Sequence, residues 1–299
     1  MENYNVTKGN PNLGNTCFFN SVLQLLVQCT VLNKLLVENN IEGTLIDIYK
    51  RYINSYIDSN SSQADPREIV MHVSKMLGRR PWSQEDSDQY VGFIIDCIID
   101  EFKEWAKKNP ELMVANKSMT LDDLIMNLFT IKCNKQIFCS ECGYVSKTND
   151  DIHKLYLSIN NVQSNTDLNE LLLKYVDETL DKENRWKCDK CNGLIEANIK
   201  RNIYKWPKYL IITLKRYGNN NHKIDTEINM PKSFSFDNKN FYIRGFIYHM
   251  GSTFGGHYVY YGYKNNKWFL FNDASFTEVD QNTLDNISKK GYVYLYVCK

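Results

Sequence analysis

Cys17 stands in the segment Asn12-Leu13-Gly14-Asn15-Thr16-Cys17-Phe18-Phe19-Asn20-Ser21, where a Gly/Asn-rich turn delivers a thiol to a predicted helix start. Unpaired backbone N–H groups and the helix dipole at that position favour a thiolate and predict a lowered pKa. The same amides, joined by a side-chain amide such as that of Asn12, could form an oxyanion hole. A thiol nucleophile also needs a base, and a third group to orient that base. Gly255-Gly256-His257-Tyr258-Val259-Tyr260 offers the base: a histidine opening a strand behind two glycines that let backbone or substrate come close. Trp268-Phe269-Leu270-Phe271-Asn272-Asp273 ends the next strand fifteen and sixteen residues after His257. A hairpin of that length can place either Asn272 or Asp273 beside the imidazole. A neutral Asn would hold the tautomer, while an ionised Asp would also stabilise the imidazolium, and the residues alone leave the choice open. Taken singly, each segment has a plain structural reading: a buried cysteine, a histidine beside a turn, an Asn-Asp turn closing a strand.

A second constellation is Cys139-Ser140-Glu141-Cys142 followed, forty-five residues on, by Cys188-Asp189-Lys190-Cys191. Two such knuckles read as one tetrahedral site in which Cys139, Cys142, Cys188 and Cys191 hold a zinc ion. Catalytic zinc keeps an open position, which four thiolates would fill, so the predicted role is structural, clamping two hairpin tips, with no catalytic cofactor. Cys29, Cys97, Cys133 and Cys298 follow no pairing pattern and are expected to be structural.

These residues must be positioned by a chain of 299 residues with 43% hydrophobic and 24% charged residues, the composition of a globular protein. A net charge of +1 provides no long-range field for nucleic acid or membranes, and the basic residues are scattered. No apolar run reaches the ~20 residues of a membrane span. The polar stretch Met1–Asn10 does not read as a signal peptide. Nine cysteines, an odd number, then suit a reducing compartment, cytoplasmic and/or nuclear.

Residues 1 to about 119 read as mainly helical. Phe19, Val22, Leu23 and Leu26 mark one face of a helix from Cys17; Gly43–Ser55, Pro66–Leu77 and Asp88–Lys107 read as further helices. After Leu121 the pattern changes. One helix is expected at 167–176, capped by Asp167 with Glu170 three residues on. Strands are expected at Tyr209–Leu214, Phe241–Tyr248, His257–Tyr263, Lys267–Phe271 and Tyr292–Val297. Helices first and strands later predict an α+β fold. Before the long helix lies the acidic segment Gln84-Glu85-Asp86-Ser87-Asp88-Gln89, which by charge alone is a capped helix start.

In order and spacing these segments resemble the ubiquitin-specific protease family of papain-like deubiquitinating cysteine peptidases. Residues 12–26 resemble its cysteine box and 84–102 the acidic box that follows. Residues 129–157 and 168–217 resemble its two zinc-knuckle regions, the latter ending Leu214-Lys215-Arg216-Tyr217. Residues 245–297 resemble its histidine box and closing strand. The resemblance implies one catalytic domain over 1–299 shaped as a right hand: a helical thumb over about 1–119, zinc-bearing β fingers over most of 120–205 and a β palm over most of 206–299. It implies hydrolysis of the (iso)peptide bond after the C-terminal glycine of ubiquitin through an acyl-enzyme on Cys17. His257 would be the base and Asn12 part of the oxyanion hole. The third role would fall on Asn272, with Asp273 in support. Asp86, Gln89, Gly255, Gly256 and Tyr258 would meet the substrate, and the loop Met250–Gly256 would border the entrance for ubiquitin's tail. The partners implied are ubiquitin and ubiquitinated proteins, met by a monomer.

The chain departs from the family at Gln89, where glutamate is usual, at Tyr217, where the family has Lys-Arg-Phe, and at Phe18, where Tyr is common. Asp86 and Asp88 stand near Gln89 and could cover part of the lost charge. The competing readings are a ubiquitin-binding module without catalytic strength, a peptidase for another ubiquitin-like modifier, and a zinc-ribbon interaction domain. The last leaves Cys17 and His257 unexplained, and Gln89 keeps the second open.

Overall fold

The computed structural model describes residues 6–110, 121–182, 184–217, 222–252 and 255–299. Its helices are α1 (Cys17–Val27), α2 (Thr30–Glu38), α3 (Thr44–Ile57), α4 (Arg67–Met76), α5 (Ser87–Lys108), α6 (Leu121–Phe129), α7 (Leu168–Val176) and α8 (Gln281–Ser288). Its strands are β1 (Ile131–Cys139), β2 (Val145–Ile152), β3 (Leu155–Leu157), β4 (Thr166–Asp167), β5 (Asp177–Leu180), β6 (Trp186–Cys188), β7 (Gly193–Ile195) and β8 (Ala197–Lys205). There follow β9 (Tyr209–Leu214), β10 (Ile228–Asn229), β11 (Ser233–Phe236), β12 (Lys239–Ser252), β13 (Gly255–Lys264), β14 (Lys267–Asn272), β15 (Ser275–Val279) and β16 (Val293–Cys298).

Among the described residues, the largest sheet runs β15-β14-β13-β12-β16-β9-β3, with β11 also paired to β12. Side chains alternate between its two faces, so each strand supplies two cores. Tyr209, Ile211, Val293, Leu295 and Val297 join the helical side with α1 to α6. Leu210, Ile212, Leu214, Tyr294 and Tyr296 join the opposite core with α7. This two-sided burial explains why β9 reads as an unbroken apolar run rather than an alternating one. All eleven residues of α1 are buried, packed between α5 and β13.

The expected elements are present, with some differences and additions. The helical region extends past 119, since Leu121–Phe129 is helical; residues 111–120 lie outside those described. Within 120–205, expected to be mostly fingers, β3 crosses back and pairs in parallel with β9. Helix α7 begins at Leu168, but Asp167 gives it no side-chain cap. That carboxylate accepts a hydrogen bond from Asn229 Nδ2 at 3.1 Å instead. Helices α2 and α8 and the polar strand β2 had no expectation of their own.

A four-stranded sheet, β2-β1-β8-β5, projects as the fingers. At its far end the β1–β2 and β6–β7 hairpins turn on the two knuckles. In each, the residue after the second cysteine is left-handed, Gly143 at φ 67° and Asn192 at φ 52°, which glycine and asparagine tolerate. The Cys142 and Cys191 backbone N–H groups donate back to Cys139 Sγ (3.3 Å) and Cys188 Sγ (3.5 Å). Cys142 Sγ lies 3.4 Å from Cys139 Sγ and 3.8 Å from Cys188 Sγ, and Cys139 Sγ lies 3.8 Å from Cys191 Sγ. A tetrahedron with Zn–S bonds of about 2.3 Å has S···S edges of about 3.8 Å, so the donor set fits zinc in type and spacing. Purified protein should carry one zinc per chain by elemental analysis. Chelation or Cys188→Ser should lower the melting temperature by roughly 10 °C or more, because thiolate binding is coupled to forming the fingertip. A metal-free sample with an unchanged melt would overturn this.

Candidate active site

Cys17 opens α1 at 4% exposure. The turn before it is built by Asn12, whose Oδ1 accepts from the Gly14 and Thr16 N–H groups at 2.9 and 3.2 Å and from the Thr16 hydroxyl at 3.3 Å. Gly14 (φ 106°) and Asn15 (φ 54°) take the left-handed conformations that aim the helix start. Thr16, at the N-cap position, gives no side-chain cap to the helix amides. The backbone N–H groups of Cys17 and Phe18, and that of Tyr258, the residue after His257, lie near enough to the sulfur to favour its charged form.

His257, half-buried on β13, holds Asn272 Oδ1 at 2.7 Å through Nε2. That leaves Nδ1 as the free ring nitrogen. Of the two candidate residues, it is thus Asn272 that meets the imidazole. Asp273 turns elsewhere: with φ 51° its backbone reverses, and its carboxylate accepts from Asn12 Nδ2 at 2.8 Å and Asn20 Nδ2 at 2.7 Å. Asp273 supports the site from beneath, through the cysteine turn, and does not touch the imidazole. Asn12 keeps one of its two amide hydrogens for another acceptor.

The acidic segment forms the capped helix start that its charge pattern predicts. Asp86 caps α5, accepting from the Asp88 N–H at 2.7 Å, and takes the Tyr292 hydroxyl at 2.9 and 3.1 Å. Burial raises its carboxyl above the usual range, and the Tyr292 hydrogen bond opposes the shift. Asp88 also points inward, to Lys154 Nζ at 2.8 Å and the Thr213 hydroxyl. Both carboxylates are thus engaged in hydrogen bonds within the protein. Gln89, in the first turn of α5, is exposed. Gly255 and Gly256 are close-approach positions, but their neighbours are internal. A Cβ on Gly256 would lie 2.2 Å from the Met250 carbonyl oxygen, and one on Gly255 2.8 Å from Gln84 Oε1. Tyr258 is buried, its ring packed on His249 with centroids 4.3 Å apart. Of the loop 250–256, residues 253 and 254 lie outside those described.

His249, Tyr292, Gln84 and Asn20 all border the site and were not singled out from sequence. Asn20 had one usable signal: it sits three residues after Cys17 on the helix, so it returns to the same face.

Burial raises the Cys17 thiol above its ordinary value. The N–H groups of Tyr258, Phe18 and Cys17 oppose the shift, while the Asp273 carboxylate adds to it. The lowered pKa expected from the helix start is therefore corrected: desolvation outweighs the dipole here. The thiolate fraction of the free protein should rise with pH well beyond neutrality. Alkylation of Cys17 by iodoacetamide, followed by peptide mass spectrometry, should accelerate continuously from pH 6 to pH 9. A rate already level at pH 6 would show a preformed thiolate and overturn this.

The ubiquitin carboxyl-terminal hydrolase family model matches residues 8–296. Human ubiquitin carboxyl-terminal hydrolase 2 is 26% identical over 314 aligned residues, covering 91% of this chain and 52% of the human protein. The probable ubiquitin carboxyl-terminal hydrolase 16 of Schizosaccharomyces pombe is 26% identical, covering 95% of this chain and 65% of its own length. The chain thus spans between half and two thirds of these relatives. Among solved structures, a chain of the SAGA DUB module Ubp8/Sgf11/Sus1/Sgf73 bound to monoubiquitin superposes with a TM-score of 0.73 at 21% identity, over 100% of this chain and 70% of that one. That likeness establishes the fold, and the family match over nearly the whole length establishes the lineage. The chain belongs to the ubiquitin carboxyl-terminal hydrolase family.

Proposed function

We propose that this protein is a deubiquitinase that hydrolyses the (iso)peptide bond after the C-terminal glycine of ubiquitin. The observation that carries the reading is the His257 Nε2–Asn272 Oδ1 hydrogen bond on the strand whose next amide lies near Cys17 Sγ. Asn272 fixes the ring with its proton on Nε2, so Nδ1 is the base. Nδ1 takes the thiol proton as Cys17 Sγ attacks the carbonyl carbon. The tetrahedral oxyanion is met by the helix-start amides and the remaining Asn12 N–H. The leaving amine takes the proton from His257, giving the thioester. Water, deprotonated by the same ring, then releases the ubiquitin carboxylate and restores the thiol. The partners are ubiquitin and ubiquitinated proteins, and the chain works as a monomer. A reduced thiol suits a cytoplasmic or nuclear setting.

Incubation with a ubiquitin carrying a C-terminal electrophile tests this directly: a covalent adduct on Cys17 is expected. Cys17→Ala should abolish turnover of a ubiquitin–fluorophore conjugate while ubiquitin still binds in a titration. Substantial residual turnover would remove Cys17 as nucleophile.

Asn272→Ala should lower kcat by at least about tenfold, ~1.4 kcal/mol of barrier, with little change in melting temperature. Asp273→Ala should lower both activity and melting temperature, because it strips the acceptor from Asn12 and Asn20. Equal kinetic effects with equal stability would reverse these roles.

A second reading, a peptidase for another ubiquitin-like modifier, gains support from the acidic segment. Asp86 and Asp88 are engaged internally, leaving exposed Gln89 as the polar group expected at an arginine-bearing tail. A carboxylate takes an arginine fork bidentately and Gln cannot. Gln89→Glu should tighten ubiquitin recognition by up to about 1 kcal/mol, and by near zero if the pair stays exposed to water. The readout is the ratio of kcat/KM for ubiquitin and for a modifier whose tail lacks one of those arginines. An unchanged ratio would place Gln89 outside the tail channel.

A further inference from the structure

His249 sits under the hairpin that carries His257 and takes no part in the mechanism above. It lies on β12, opposite Tyr258 of β13, and is 4% exposed. Its Nδ1 is hydrogen-bonded to the Tyr217 hydroxyl. The Tyr217 ring packs edge-on against Tyr292, centroids 5.1 Å apart, and Tyr292 in turn bonds Asp86. On the other side of the imidazole, Nε2 faces Gly256: a Cβ there would lie 2.5 Å from it. The Lys223 ammonium donates to the backbone carbonyls of His249 at 2.8 Å and Gly251 at 3.3 Å. Tyr217, Lys223 and the Tyr258 ring thus surround the end of β12, directly across from the residue that precedes His257.

Burial, with the positive charge of Lys223 and the neighbouring His257, lowers His249 to about 4, so the ring is neutral in the working range. A neutral imidazole has one N–H and one lone pair. Burial also pushes the Tyr217 hydroxyl pKa up, so it keeps its proton and donates it to Nδ1. The ring proton then resides on Nε2, facing Gly256. A phenylalanine at position 217 would pack similarly but leave both tautomers open.

We propose that Tyr217 is a positioning residue: its hydroxyl fixes one tautomer and one orientation of His249, which holds the His249–Gly251 strand end against Gly255–Gly256 as a preformed wall of the channel for the substrate's tail. The channel assignment rests on the hydrolase reading; the tautomer assignment does not.

Tyr217→Phe removes one oxygen and retains the ring. It should raise KM for a ubiquitin–fluorophore conjugate about tenfold, leave kcat within about twofold and leave the melting temperature nearly unchanged, the pattern of a lost pre-organising hydrogen bond. In a His249→Asn background the same substitution should have no further effect. Long-range 15N–1H spectra of histidine-labelled protein should show His249 as the Nε2–H tautomer, averaging towards a mixture in Tyr217→Phe. An unchanged KM, a loss in kcat alone, a loss that merely tracks the melting temperature, or an Nδ1–H tautomer in the unaltered protein would each overturn the proposal. If the unaltered protein fails to react with the ubiquitin electrophile, the hydrolase reading falls. The spectra would still decide whether Tyr217 sets the tautomer.

Discussion

The carboxylate of Asp273 receives amide hydrogens from Asn12 and Asn20, and its carbonyl oxygen receives the Asn10 N–H at 2.8 Å. The first of these bonds joins residues 261 positions apart. Gly9 passes so close that a Cβ would stand 2.2 Å from the Ala274 carbonyl oxygen. Closing a loop of that length costs roughly 5 kcal/mol by the length term alone, while each neutral hydrogen bond contributes about 1 kcal/mol net and a charge-assisted one about 1.5–3. The clasp therefore does more to set register than to hold the ends together. The holding is done by α1, whose entire length is buried. Each of its large apolar side chains contributes about 1.5–3 kcal/mol on burial. The register then decides the chemistry. Because Asp273 is turned inward at positive φ, the preceding Asn272 is the residue free to meet His257.

The same burial has a cost in acidity. A helix N-terminus offers about half a positive charge to a thiolate, a favourable term of roughly 0.3–1 kcal/mol at accessible positions and up to about 2 in partly buried ones. Removing a charge from water works against it, and Cys17 is 4% exposed. The packing that holds Cys17 steady thus also favours its protonated thiol. His257 lies half-buried on β13, the strand that packs against α1.

What could be read from the sequence follows from how local each signal is. The Cys-x-x-Cys knuckles, the turn before Cys17 and the apolar run of β9 are determined within a few residues, and the structure places them as read. Helix α6 and strand β2 were missed for opposite reasons. The helix is short and follows a segment without pattern. The strand, VSKTNDDI, has no apolar face because its neighbour β1 covers it on one edge only and its side chains stay half in water. The Asn272/Asp273 choice depended on the sign of one backbone angle, which no side-chain pattern encodes for an Asn-Asp pair. The direction of the Cys17 pKa shift depended on burial by β13, more than two hundred residues away in sequence. A window around the cysteine carries the dipole and not the desolvation.

The acidic segment reads by charge alone as a capped helix start, and Asp86 does cap α5; only the family resemblance gave it a ligand to meet. A carboxylate at a helix start has strong internal uses. Asp86 satisfies α5's first amides and anchors Tyr292; Asp88 neutralises buried Lys154, which would otherwise carry an unpaired charge away from water. From Asp86 the contacts continue through Tyr292, Tyr217 and His249 to Tyr258, joining the thumb helix to the β12–β13 hairpin. The charges that could have faced a ligand instead support the elements that frame the site. What this helix start leaves exposed beside that packed column is the uncharged Gln89.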